Sequence, residues 1–418
     1  MSPLKFVRPC AGLALGVCLA AAAANAQEGP REIKHVFVIA MENHNWTQPN
    51  GNVGALPTIQ QIYQNPNAPF VNSLVNGTAT AFINGEVVNI SEHVAYASAY
   101  HNVLSTPSGN NPHIHPSEPN YLWAEAGTNF GVNNDNDPYS PKGPTVQTTH
   151  QHLTALLEKA GRTWLSYQED TDLTTNAGGK LVNIPLPRNQ WTVPLTSLSG
   201  TFDPSSPLNQ YNATAQYNYA AKHNPQVFFT DTNGNGVAAS PDAQHYAPLQ
   251  QLAFDLAHDR VADYNWITPN QYNDQHSSLK NGFDGTTGDA SQIRSGDNAL
   301  AQLVPAIMAS KAYKDGGVII LWWDEAEAQD AADTNNGDDF NHTIGEIVIS
   351  NLARANEGGL PYASPVDFTH SSDLKTMQEV FHVGPLLGDA AMPSTNDLSD
   401  LFAPGVIPTH VGGDHDGH

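Results

Sequence analysis

The chain has 418 residues, with 17 Lys and Arg against 41 Asp and Glu, a formal net charge of −24 and only two cysteines. That length holds one large α/β domain with insertions, or two domains. Solubility accounts for much of the surplus charge, and so acidic a surface repels nucleic-acid polymers and anionic lipid while suiting a chain that gathers divalent cations.

The first segment sets the compartment. Lys5 and Arg8 precede an apolar run from Ala11 to Ala23 that ends in Ala24-Asn25-Ala26. A basic start, a short apolar middle and a small-x-small exit predict a signal peptide over residues 1–26, cleaved before Gln27, and a periplasmic or secreted protein. The run is short and Ala-rich for a bilayer span, and no second stretch could cross one, so no stable membrane insertion is expected. Leu15-Gly16-Val17-Cys18 approaches a lipobox, but Val17 is a poor residue before the cysteine. Both Cys10 and Cys18 lie in this leader. The remainder therefore has no disulfide and no cysteine nucleophile or thiolate ligand.

Residues 27–418 read as a single domain. His35–Ala40 is a short apolar run that passes into Glu42-Asn43. Further on, His113-Ile114-His115-Pro116-Ser117-Glu118-Pro119-Asn120-Tyr121 leads into a helical stretch reaching Ala126. A serine followed by an early proline marks a helix start, and its ordinary role is that of an N-cap. A helix N-terminus also stabilises a developing alkoxide and phosphoryl oxygens, which makes Ser117 a candidate nucleophile. His113 and His115 are candidates for a proton relay beside it. A helix over Thr149–Ala160 is stopped by Gly161. The stretch 178–216, rich in Pro, Asn, Thr and Ser, reads as a surface insertion. Gln226–Thr230 reads as a strand running into Asp231.

Asp231-Thr232-Asn233-Gly234-Asn235-Gly236, with Asp242, matches part of a calcium loop, and an exported calcium-binding protein without enzymatic activity is the alternative from another class. Asn-Gly repeats equally make turns. Helical patterns follow over Tyr246–Ala257 and Asp297–Ala309. Between them lies Trp266-Ile267-Thr268-Pro269-Asn270, then Asp274 and His276. Gly317–Trp323 is a second long apolar strand and ends in Asp324-Glu325. Ile344–Ile349 is another strand. Asp367–Ser372, containing His370, opens a helix over Asp373–Phe381, and residues 409–418 read as a flexible tail. The alternation predicts an α/β fold, a mainly parallel central sheet flanked by helices, with ligands beyond the carboxyl ends of the strands. Two of those ends carry Glu42-Asn43 and Asp324-Glu325, hard oxygen ligands for a divalent cation. Asp274, His276 and His370 are candidates for a second cluster.

Five blocks in order, His35–Asn43, His115–Tyr121, Trp266–Asn270 with Asp274 and His276, Trp323-Asp324-Glu325 and Thr369-His370-Ser371, resemble the bacterial phosphoesterase family of non-haemolytic phospholipases C and respiratory-burst-inhibiting acid phosphatases. The resemblance spans about residues 33–382 and implies an alkaline-phosphatase-like fold. It implies that Ser117 is the nucleophile, and that Glu42, Asn43, Asp324 and Glu325 hold metal together with Ser117. Asp274, His276 and His370 match positions lining the other side of the site in the wider superfamily, where two metals are common, although Asp274-Gln275-His276 is tighter than the usual Asp-x-x-x-His. The cofactor implied is one or two divalent ions, of which Zn, Ca, Mg and Mn all remain open. The reaction implied is phosphoester hydrolysis through a phosphoserine, with His113 or His115 protonating the leaving group. A sulfatase shares the superfamily, but Tyr121 stands where its modification sequence requires arginine. A phosphomonoesterase is favoured over a phospholipase C, because the acidic surface opposes docking on anionic membranes and no amphipathic membrane helix is evident.

Overall fold

Buried apolar runs build the sheet. The computed structural model describes residues 32–47, 61–102, 116–326, 343–356 and 358–408. The leader, His113, His115 and the tail 409–418 lie outside the described residues. Eight strands form the main sheet: β1 (His35–Met41), β2 (Val94–Ala97), β3 (Trp164–Gln168), β4 (Tyr246–Pro248), β5 (Tyr264–Thr268), β6 (Gly317–Trp323), β7 (Glu346–Ile349) and β8 (Tyr362–Ser364). Their order across the sheet is β4-β3-β5-β1-β6-β7-β2-β8. All pairs are parallel except those of β7, which runs against both β6 and β2. The expected mainly parallel α/β sheet is present.

The two longest apolar runs lie side by side at the centre. β1 and β6 pair in register from His35 with Gly317 to Met41 with Trp323. Both are buried along nearly their whole length, as strands covered on two faces must be. Among the described residues seven α-helices accompany the sheet: α1 (Pro69–Asn76), α2 (Ser117–Ala126), α3 (Leu153–Lys159), α4 (Gln251–Ala257), α5 (Asp289–Met308), α6 (Lys311–Lys314) and α7 (His370–Val380). Val38, Tyr264, Trp266, Ile320 and Trp322 share a cavity wall with Ala124 of α2 and Leu374 and Met377 of α7. Met41 reaches α5, where a Cβ on Gly296 would lie 2.9 Å from its Cε. Helices therefore cover both faces.

Several boundaries differ from the sequence reading for physical reasons. Gln226–Thr230 is not a strand. Pro225–Phe228 is a 3-10 turn, and Phe229 makes only an isolated bridge to Gln147. The run is apolar because Val227, Phe228 and Phe229 are fully buried, which periodicity alone cannot tell from a strand. The Ile344–Ile349 run is split at Gly345, where a Cβ would lie 2.3 Å from the Trp323 ring. Its first part pairs with Asn45–Thr47 and its second is antiparallel β7. The Tyr246–Ala257 pattern begins as edge strand β4 and becomes helical only from Gln251, since Pro248 holds the residue before it extended. Helix α5 starts at Asp289, eight residues before the expected Asp297, through a polar stretch of weak helix formers. Within 178–216, Leu181–Asn183 pairs with Leu173–Thr175, and Leu198–Thr201 pairs with Gln216–Tyr219.

Candidate active site

Backbone contacts lock the strand ends together before any side chain takes part. Glu42 N donates to the Asp274 carbonyl at 2.8 Å, and Asp324 N donates to the Met41 carbonyl at 3.1 Å. Asn43 turns through a left-handed φ of 49°, which Asn tolerates better than most residues, and its N–H donates to Asp324 Oδ1 at 3.1 Å. Residues from the carboxyl ends of β1, β5 and β6 thereby converge, although β1 and β6 are nearly 300 residues apart in sequence. Glu42, Asp324 and Glu325 offer carboxylate oxygens that all lie within 4.8 Å of one another, and all three are buried.

Helix α2 aims its first residue at this cluster. The N-cap is Pro116, not Ser117, and no side chain caps the helix. Ser117 is the first helical residue and its hydroxyl is turned away from the helix's own N–H groups. Ser117 Oγ lies 3.1 Å from Glu42 Oε2 and 3.0 Å from Glu325 Oε1, the two acceptors available to it. The next turn supports the same carboxylates: Asn120 Nδ2 donates to Glu325 Oε2 at 3.0 Å and the Tyr121 hydroxyl to Glu42 Oε1 at 2.6 Å. Every residue of α2 is buried, and it ends on Gly127 at φ 68°, where a Cβ would lie 2.6 Å from the Leu387 carbonyl. The position of the helix is thus fixed at both ends.

The donor set fits a hard divalent cation. Burial, then Asp324 and Asp274, push the Glu42 carboxyl well above its ordinary value, outweighing the opposing charge of Lys222. The Asn43 amide has two orientations, and which one holds is inferred from its surroundings. In one, its oxygen faces Glu42 Oε2 at 3.0 Å and Glu325 Oε1 at 2.7 Å; in the other, its NH2 donates to both. Three oxygens so spaced repel each other unless a cation lies between them. Their separations match the roughly 3 Å edge of an octahedron with bonds of about 2.1 Å. Among the described residues no other group brings three ligand atoms of this kind together.

The other side of the cluster departs from the sequence reading. Asp274 is present there, fully buried, its carboxyl raised by burial and by Asp324 against the His276 N–H that donates to it. The histidine that meets it is His223, absent from that reading. His223 Nε2 lies 3.0 Å from Glu42 Oε1 and Nδ1 lies 3.3 Å from Asp274 Oδ2, with the ring stacked on Tyr121. Burial, Lys222 and His276 hold its imidazole towards the neutral form. His276 stands one ring away, 5.7 Å between centroids, with Nδ1 on Ser277 Oγ at 2.9 Å. Burial lowers it to about 3.

His370 lies outside the group formed by Glu42, Asp324 and Glu325. Its Nε2 donates to the Asp324 carbonyl at 2.6 Å, so Nδ1 accepts from Trp322 Nε1 at 3.0 Å, with the Tyr100 hydroxyl, which donates to Asp373, 2.9 Å away. Both ring nitrogens are engaged, and His370 orients the backbone of Asp324 from behind. No signal in the sequence separates these two kinds of histidine. His223 lies in the 3-10 turn Ala221–His223 and carries no motif.

The 231–242 segment is a hydrogen-bonded turn. Asp231 accepts from His152 Nε2 at 2.9 Å and pairs with His150, while Asn233 Oδ1 accepts from Tyr139 OH at 3.1 Å and Gly236 N at 3.3 Å. The Asp231 and Asn233 oxygens thus already hold protein donors, which weakens the motive for a calcium loop there.

The Phosphoesterase family is matched over residues 110–384, a stretch that contains Ser117, His223, Asp274, Asp324 and Glu325 and begins after Glu42. Three curated fungal proteins are similar to the chain. A phosphate-repressible acid phosphatase of Penicillium chrysogenum is 23% identical over 51% of this chain and 39% of its own length. An acid phosphatase of Aspergillus fumigatus is 27% identical over 39% of this chain and 28% of its own. A probable acid phosphatase of Kluyveromyces lactis is 23% identical over 39% of this chain and 30% of its own. The matched stretch thus spans well under half of each relative.

Proposed function

The chain belongs to the phosphoesterase family, and on that premise we propose that it is an exported, metal-dependent phosphomonoesterase of the acid-phosphatase kind that works through a phosphoserine at Ser117. The observation that carries this reading is the Ser117 hydroxyl, first in its helix and donating to carboxylates from two strand ends. The fungal relatives, named as acid phosphatases, support the substrate class.

Glu42, Asn43, Asp324 and Glu325, with Ser117 Oγ, would hold one divalent cation. Bound there, it supplies Lewis-acid stabilisation of the serine alkoxide and of charge on the phosphoryl oxygens. The rest is the work of the chain. Ser117 Oγ attacks phosphorus as its proton passes to a carboxylate to which it already donates. The P–O bond to the alcohol breaks, and the alcohol leaves with a proton. The N-terminus of α2 opens at the site, and its helix dipole favours the negative phosphoryl group. Water then attacks phosphorus, releasing inorganic phosphate and restoring the serine. Asn120 and Tyr121 keep the two carboxylates aimed, and His370 keeps the Asp324 backbone in place. Asp274, His223 and His276 line the opposite wall. His113 and His115, outside the described residues, remain proposals for the leaving-group acid. The leader Met1–Ala26 would direct the chain to the periplasm or the medium, and N-terminal sequencing of exported protein would read Gln27 first.

Purified protein is assayed on p-nitrophenyl phosphate, its choline diester and phosphatidylcholine vesicles, each with and without added Mg, Ca, Mn or Zn. Metal-stimulated turnover of the monoester is expected. A large preference for the choline compounds would reverse the substrate assignment to a phospholipase C.

A further inference from the structure

The three carboxylates around Ser117 carry three negative charges, and one divalent cation cancels only two. A phosphate monoester arrives with two more. Another fixed positive charge is needed at the site if the dianion is to be held there. Lys222 is the cation that acts on Glu42 and Asp274, and both Glu42 and Glu325 act in turn on it. It precedes His223, which touches Glu42 and Asp274.

Its placement is built. Lys222 Nζ pairs with Asp135 Oδ2 at 2.8 Å, and the other oxygen of Asp135 accepts from Glu118 N at 3.1 Å. Asp135 therefore ties the ammonium to the first turn of α2, one residue from the attacking hydroxyl. The Lys222 side chain keeps 13% exposure, so it is open to a ligand, and an ammonium has three donors, of which Asp135 needs one.

We propose that Lys222 binds the non-bridging oxygens of the phosphoryl group that Ser117 attacks, and that it makes the site prefer dianionic monoesters to monoanionic diesters. This rests on the phosphoester reading above. A diester lacks the second charge and gains less from the ammonium. Lysine is a point charge without a fixed fork, so charge rather than shape is the property it selects.

The test compares wild type, Lys222→Met and Lys222→Arg, all loaded with the same divalent metal, on p-nitrophenyl phosphate and methyl p-nitrophenyl phosphate. Binding of inorganic phosphate is measured by calorimetry alongside. Loss of a charged hydrogen bond should lower the monoester-to-diester ratio of kcat/KM about tenfold or more, mainly through KM, and weaken phosphate binding by a similar factor. Lys222→Arg should restore most of both, which a structural role for the Asp135 pair alone would not require of the ratio. Should the methionine variant not fold, Lys222→Gln reads the same ratio. An active enzyme whose ratio and phosphate affinity are unmoved by the substitution overturns the role of Lys222 and leaves the phosphoester reading standing. A metal-loaded wild type that turns over neither ester removes that reading, and this proposal with it.

Discussion

Removing the metal should destabilise the protein and stop turnover, and a single substitution in the cluster should destabilise the loaded protein but stabilise the metal-free one. Glu42, Asp324 and Glu325 hold their oxygens within 4.8 Å of one another with almost no solvent contact. Burying each unpaired ion costs several kcal/mol, so the metal-free site must take up protons or loosen. A cation present at about a thousandfold its dissociation constant stabilises the fold by about 4 kcal/mol. For a chain of this size one kcal/mol moves the melting temperature by about 2 °C or less, so exhaustive chelation should lower it by up to about 8 °C. Asp324→Asn keeps the oxygen that accepts from Asn43 N and removes one charge. With metal the variant should melt below wild type, because a neutral amide is a poorer ligand. In chelator it should melt above wild type, because one buried charge is gone. Scanning calorimetry of both proteins in both states, with metal content verified by elemental analysis, gives all four values. Metal-free protein that turns over at full rate, or an Asp324→Asn change of the same sign in both states, would refute a cation-binding cluster.

Ser117→Ala should abolish turnover with little loss of stability, since the hydroxyl caps nothing; acid trapping with a labelled monoester should mark Ser117 in wild type and nothing in the variant. His370→Ala strips partners from the Asp324 carbonyl and Trp322 and should cost about 1–3 kcal/mol, measured by urea unfolding, while leaving the metal content per chain unchanged. The third concerns pH. His152 is buried between Glu125 and Asp231, and although burial opposes its charge, hydrogen bonds to Asp231 and Glu125 raise it to about 9. A histidine raised above its unfolded value near 6.5 contributes stability that is complete below that value and is lost as pH rises through 9. Urea unfolding at pH 6 and pH 9.5 should show a fall of up to about 3 kcal/mol from this group, largely absent in His152→Gln; an equal fall in the variant would refute the assignment.

What was legible in the sequence follows from how each part is encoded. β1 and β6 were readable because a buried parallel strand must be apolar throughout, and a polar pair with a carboxylate at its end then stands out. The same rule misread Gln226–Thr230, since Phe228 and Phe229 fill the core from a 3-10 turn and burial, not strand pairing, made them apolar. His223 and Lys222 were invisible for the opposite reason. They enter the site from a three-residue turn with no period to betray it, and their roles depend on α2 lying against that turn. His370 was visible as a residue but not by its contact, because the Asp324 carbonyl that accepts from its ring N–H is a backbone atom and leaves no trace in residue types.

Ser117 shows most plainly why one residue's place in a helix decides between a structural and a chemical use. A serine at the N-cap turns its oxygen back towards the open N–H groups of the first turn and accepts from them. One position later its backbone is already helical, and Pro116 occupies the cap without a side chain able to do that work. The first-turn N–H groups then remain available as donors, and the Glu118 N–H goes to Asp135, which in turn holds Lys222. The hydroxyl itself is left to donate to Glu42 and Glu325. A cap would have fixed the serine oxygen as an acceptor inside its own helix, whereas the N1 position presents it outward, beside buried carboxylates that can draw off its proton. Pro116 is therefore as much a determinant of the site as the carboxylates are, although it touches none of the reacting atoms.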